Sequence, residues 1–118
     1  TGFGFLGHLN EMVDDGYSIA VNGNDVKYIK GAMHLAEEFL TTGGGQKNRN
    51  FLGDKVKFNN VSRPVQEILL DPQTSGGLLL SLPPKDAKAL MKVLADFEMP
   101  SCIIGEVTDR KESNIIVY

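Results

Sequence analysis

The chain has 118 residues, with 15 Asp and Glu against 12 Lys and Arg, a formal charge of -3 and a pI near 5.3. It lacks the basic excess that nucleic-acid backbone binding requires, and no apolar run approaches the roughly 20 residues needed to cross a bilayer, so neither nucleic acid nor membrane is an expected partner. Hydrophobic residues make up 42% and charged residues 23%, the balance of one globular domain with a single core, and the lone Cys102 cannot close an internal disulfide, which predicts a reducing, cytoplasmic setting.

In chain order, Phe5, Leu6, Leu9, Met12 and Val13 recur at helical spacing, and Gly16 stands where a left-handed C-terminal cap is expected. Tyr17 to Val21 reads as a strand before the turn Asn22-Gly23-Asn24-Asp25, with Val26 to Ile29 as an extension. Ile29, Ala32, Met33, Ala36, Phe39 and Leu40 form a helical stripe that stops at Thr41-Thr42. Residues 43 to 54 contain four glycines, three of them consecutive, and read as a loop.

Lys55 to Phe58 alternates as a short strand. Ser62 is the expected N-cap of a helix running through Leu70, with Pro64 in its first turn and Val65, Ile68 and Leu69 facing inward. Pro72 should end that helix at Asp71. Gly77 to Leu82 is apolar on both faces, which predicts a strand covered on both sides. Pro83-Pro84 opens a helix whose Ala87, Leu90, Met91, Leu94 and Phe97 share one stripe, and Pro100 closes it. Cys102 to Val107 and Asn114 to Tyr118 are expected strands, with Cys102 a small buried hydrophobe in the first. The expected architecture is α+β, a mixed β-sheet with packed helices, and the unit from Gly77 to Val107 suits a right-handed crossover within the sheet.

Three glycine-bearing segments are candidate sites. In Asp71-Pro72-Gln73-Thr74-Ser75-Gly76-Gly77 two adjacent glycines let backbone N–H groups approach an anion, and Thr74 and Ser75 add hydroxyl donors. A plain turn, locked by Asp71 and Gln73 onto its own backbone, explains the same residues. In Gly43-Gly44-Gly45-Gln46-Lys47-Asn48-Arg49-Asn50, Arg49 offers a planar fork of donors and Lys47 a second charge, or the segment is a solvated surface loop. Gly2-Phe3-Gly4-Phe5-Leu6-Gly7 has the spacing of a dinucleotide fingerprint with Asp25 about 20 residues on, but that motif needs a strand ahead of its first glycine, where the sequence has only Thr1. His8 and His34 have no second ligand at metal-binding spacing, so a zinc site is not expected. No catalytic residue set and no metal site can be assembled from these motifs.

Asp71 to Gly77 with the apolar run behind it, the opening Thr1-Gly2-Phe3-Gly4-Phe5-Leu6-Gly7-His8-Leu9, the segment Gly43 to Phe51 and Ile104-Gly105-Glu106-Val107-Thr108 together resemble the C-terminal half of selenophosphate synthetase (selenide, water dikinase). The Ile104 to Thr108 piece is equally at home in the wider superfamily of aminoimidazole ribonucleotide synthetase-like enzymes. The resemblance implies a single C-terminal domain, residues 1–118, of a two-domain enzyme whose N-terminal ATP-binding half lies outside this sequence. It implies an activity that converts ATP, selenide and water to selenophosphate, AMP and phosphate with Mg2+, in a homodimer. It also implies that the nucleophile, its partner lysine and most nucleotide and metal ligands belong to the N-terminal half, so that the fragment alone is inactive. One further metal-holding aspartate, in an Asp-Val pair ahead of the Thr1 segment, also falls outside this sequence.

On that resemblance Thr1, Gly2, Gly4, His8, Asn48, Arg49, Asn50, Asp71, Gln73, Thr74, Ser75, Gly76 and Gly77 are the residues expected to line the phosphate cleft, their backbone bends facing one hollow. Two alternatives remain open on the residues alone. One is another ATP-dependent enzyme of the superfamily, acting on a purine or thiamine precursor or in hydrogenase maturation. The other is a non-catalytic ligand-binding or interaction domain.

Overall fold

The structure, a computed structural model, describes residues 1–98 and 100–118. Its centre is a four-stranded mixed sheet in the order β2-β4-β1-β3, built from β1 (Tyr17–Val21), β2 (Val56–Phe58), β3 (Gly105–Asp109) and β4 (Ile115–Val117). β4 runs parallel to both neighbours, with Ile19 and Val56 opposite Ile115, and β3 pairs antiparallel with β1, with Val21 opposite Gly105. The α+β class and the mixed sheet are as expected from the sequence.

Helices α1 (Gly4–Met12), α3 (Gly43–Leu52) and α4 (Arg63–Leu70) supply the other wall of the core. Leu6 and Leu9 of α1, Leu52 of α3, and Leu69 and Leu70 of α4 pack with Ile19, Val21, Ile115 and Val117 of the two central strands. Apolar side chains alternate along β1 and fill one stripe of α1 and of α4, so burial of both faces in one layer fixes register and the orientation of these helices together. Ser18, between the inward positions of β1, is also buried; its hydroxyl donates to the Ser113 carbonyl at 2.7 Å and accepts the Lys111 N–H at 2.9 Å. The turn ahead of β4 is thereby tied to the sheet.

Several expected elements differ. Residues 43 to 52 are a helix, not a loop. Thr42 caps it, its hydroxyl accepting the Gly45 N–H at 3.1 Å, and the face turned inward is Gly45, Asn48, Arg49 and Leu52. The spacing is helical, but only one of those residues is a large hydrophobe, so no apolar period announced it. Gly77 to Leu82 is not a strand; Leu78 is 90% exposed, and only Leu79 packs against the core. No crossover joins it to β3, which itself starts three residues later than expected, at Gly105.

Helix α2 is short (Ala32–Glu37), buries only Ala36 and leaves Ile29, Phe39 and Leu40 largely exposed. Phe39 has φ 61, a left-handed conformation that ends the helix early. Helix α1 stops at Met12 with Val13 extended, and Gly16 is not among the left-handed glycines. Val26 to Ile29 adds no strand, because Asn22 closes the turn on itself, accepting the Asn24 N–H and donating to Asp25. Helix α5 (Pro84–Leu94) starts where Pro83-Pro84 predicts but ends at Leu94, short of Phe97 and Pro100; it buries none of its stripe, and Phe97 is 64% exposed. Ser62 holds the N-cap position of α4 without a side-chain bond. Cys102 is off the sheet, half-buried, its thiol directed at the Asp25 carbonyl at 3.0 Å.

Candidate functional site

Helix α4 ends at Leu70, and Asp71 takes an extended conformation, as a residue before proline must. The N termini of α1 and α3 both abut this Asp71-Pro72 turn. Gly4, at φ +69, lies so close that a Cβ there would sit 2.8 Å from the Asp71 carbonyl oxygen and 3.0 Å from that of Leu70. On the other side a Cβ on Gly44 would meet Pro72 Cγ at 2.6 Å. Only glycine fits at either place, since any side chain would drive the helices off the turn.

Polar bonds hold the junction. The Asn48 amide donates to the Gly2 carbonyl and to the Leu70 carbonyl, each at 2.9 Å. One side chain of α3 therefore fastens both the bend ahead of α1 and the end of α4. Thr42 accepts the Gly45 N–H and donates its own proton to Asp71 Oδ1 at 2.8 Å. The α3 end is thus tied to the Asp71 carboxylate while the α1 end lies against the Asp71 and Leu70 carbonyls, so two partially positive helix ends face one turn.

The outer side of the bend carries a second group. Thr1 Oγ1 lies 2.9 Å from His8 Nε2 and accepts the Phe3 N–H at 3.3 Å, while His8 Nδ1 lies 3.0 Å from Glu11 Oε2. The Phe3 ring tilts against the imidazole, with centroids 5.8 Å apart. His8 therefore has a carboxylate partner one helical turn on, which the spacing argument passed over. His34 also has a carboxylate beside it, its Nε2 lying 3.3 Å from Glu38 Oε1.

Of the residues expected at the cleft, Thr1, Gly2, Gly4, His8, Asn48 and Asp71 come together here. Arg49 is engaged elsewhere. Its Nη1 donates to Gln66 and its Nη2 to Glu67, both at 2.9 Å, and its guanidinium lies over the Phe58 ring. Glu67 is 8% exposed and also accepts from Arg63 Nε, so the Arg49 fork ties α3 to α4. Asn50 accepts from Gln46 within α3. Gln73, Thr74, Ser75, Gly76 and Gly77 run exposed beyond the turn, with the Gln73 side chain folded over Gly76.

The junction is a packed contact. Two hollows, of about 100 and 280 Å³, involve none of these residues; the first lies between Met12, Tyr17, Ser81 and Val107, the second between Met91, Phe97 and Ser101. Among the described residues no three His, Cys, Asp or Glu come together in a way that could hold a metal ion. At the junction Asp71 already accepts from Thr42, so these residues do not by themselves make a magnesium site. Sequence reasoning missed Thr42, Glu11 and the buried acid Glu67. A Thr before a glycine run was the available signal for the first.

The family model described as AIR synthase related protein, C-terminal domain, matches residues 1–118. The chain belongs to that family. Among curated proteins it is 40% identical over 118 residues to a selenide, water dikinase of Agathobacter rectalis, covering 99% of this chain and 34% of the relative. A selenide, water dikinase of Desulfitobacterium hafniense is 40% identical over 117 residues with the same coverage, and that of Treponema denticola is 45% identical over 118 residues, covering 95% of this chain and 33% of the relative. The likeness read from the glycine segments therefore stands. The chain spans about a third of the length of the curated relatives it matches.

Proposed function

We propose that this chain is the C-terminal domain of an ATP-dependent selenophosphate synthetase, a two-domain enzyme that converts ATP, selenide and water to selenophosphate, AMP and phosphate. The observation that carries the reading is the meeting of the α1 and α3 N termini at the Asp71-Pro72 turn, built from the motif residues Gly2, Gly4, Asn48 and Asp71. Phosphoryl transfer is catalysed chiefly by positioning and by stabilising developing negative charge. Two converging helix ends supply part of that field, and Gly2, where a Cβ would meet nothing within 4 Å, leaves room for a close-lying phosphate. The identity to selenide, water dikinases supports the choice of substrate.

In this reading the junction is one wall of the cleft, and the N-terminal domain supplies the opposite wall with the nucleophile and the groups that hold ATP and Mg2+. Gln73 to Gly77, exposed beside the turn, is the segment left to close over the nucleotide. The intact enzyme is a cytoplasmic homodimer. The test is selenide-dependent formation of AMP from ATP by the full-length protein, with no turnover by the 118-residue chain alone; turnover by the isolated chain, or none by the full-length protein, overturns the reading.

A further inference from the structure

Thr1, His8 and Glu11 form a hydroxyl–imidazole–carboxylate relay on the solvent side of the glycine bend. Its polarity follows from donor and acceptor chemistry. An ionised carboxylate only accepts, so His8 Nδ1 carries the proton directed at Glu11 Oε2, and Nε2 presents its lone pair to the Thr1 hydroxyl. The Thr1 oxygen is meanwhile occupied by the Phe3 N–H. The imidazole is therefore a pre-oriented proton acceptor whose acceptor site is filled by a hydroxyl. Its ring is backed by Phe3, and its side chain is 42% exposed. His34 at α2 meets Glu38 through Nε2, not Nδ1, and among the described residues no hydroxyl is bonded to its ring.

We propose that His8 is the general base for the water consumed in the proposed reaction, with Glu11 holding its tautomer and the Thr1 hydroxyl marking the place of the attacking oxygen. The inference rests on the selenophosphate synthetase reading and adds a role that reading does not assign. In the step, a water O–H proton passes to His8 Nε2 as the water oxygen bonds to phosphorus. The bond from phosphorus to the bridging oxygen breaks, and the departing phosphate oxygen keeps the electron pair. Glu11 stabilises the imidazolium until it releases its proton to solvent. Proximity supports the assignment, because the same bend that ends in Thr1 presents Gly2 and Gly4 to the helix junction.

The experiment uses the full-length protein and follows AMP formation from ATP with selenide. His8→Ala and His8→Asn are expected to lower kcat about 10²-fold or more, the scale of general-base catalysis, with KM for ATP within about three-fold. Glu11→Gln is expected to lower kcat about ten-fold through the lost tautomer preference, and His34→Asn to leave it unchanged. Added imidazole should restore part of the His8→Ala rate, which a merely structural residue would not allow. A folded His8→Asn protein with kcat within two-fold of the parent overturns the inference, and so does a His8→Ala loss that imidazole does not repair. If the parent protein makes no AMP, the reading beneath falls and this inference with it, an outcome visible before any variant is made.

Discussion

The amide nitrogen of Asn48 stands 2.9 Å from the Gly2 carbonyl oxygen, joining the middle of α3 to the bend that opens α1 across 46 residues of chain. The same nitrogen serves the carbonyl of Leu70, a residue only 1% exposed. Asn48→Ala leaves both carbonyls without this donor and is expected to lower stability by about 1–3 kcal/mol, measured by denaturant unfolding. Asn48→Asp should be worse, since an ionised carboxylate would face two carbonyl oxygens with nothing to donate.

Gly2 and Gly4 separate two costs. Both have left-handed φ, 86° and 69°, but a Cβ on Gly2 meets nothing within 4 Å, whereas one on Gly4 runs into the Asp71 and Leu70 carbonyls. Gly2→Ala is expected to cost about 1–2 kcal/mol for the backbone alone. Gly4→Ala adds an overpacking cost of about 1–3 kcal/mol. Thermal melts of the two variants side by side check the order.

Much of the fold was legible because burial follows periodicity. Leu6 and Leu9 of the α1 stripe, Leu69 of the α4 stripe and apolar positions of β1 and β4 lie in the core, with Phe5, Val13 and Val65 packed against it; Met12 is exposed, Ile68 stays outside the cluster, and Leu70 is buried without having been expected to face inward. α3 was illegible for a physical reason: its three glycines each lower helix propensity by about 1 kcal/mol relative to alanine, and tertiary contacts outweigh that. Those contacts are Gly44 on Pro72, Asn48 on two carbonyls and Arg49 on Glu67. Gly77 to Leu82 failed in the opposite way. An apolar run states that a segment wants cover, and Leu78 and Leu80 find none among the described residues.

The meeting of Gly4, Asn48 and Asp71 joins three segments that the sequence had singled out. Arg49 was read as an anion ligand because a guanidinium near glycines suits an anion as well as it suits a buried acid; here it is engaged with Gln66 and Glu67.

Glu67 accepts from Arg49 and Arg63, but the two arginines differ in exposure, at 21% and 54% of their side chains. Glu67→Ala strands the Arg49 charge in a largely buried place and should cost about 3 kcal/mol. Arg63→Ala removes an exposed partner and should cost under about 1 kcal/mol. Equal effects in chemical denaturation would contradict the assignment of Glu67 as the partner of Arg49.

The Lys57 ammonium bonded to Glu112 holds that carboxyl below the usual carboxylate range, chiefly through the hydrogen bond and then through charge. A carboxyl whose pKa is depressed on folding stabilises the fold above its unfolded pKa and loses that contribution as pH falls through the folded value. Both groups are solvent-exposed, so the contribution is small and weakens with salt. An NMR titration of the Glu112 side chain should show its midpoint rise in Lys57→Gln, and an unchanged midpoint would dismiss the pair.

Hydrogen exchange of the full-length protein, with and without a non-hydrolysable ATP analogue and Mg2+, probes the junction where α1, α3 and the Asp71-Pro72 turn meet. The account predicts slowed exchange in the peptides covering residues 1–8, 42–50 and 70–77. Protection that skips all three while appearing on α5 or β3 would contradict it.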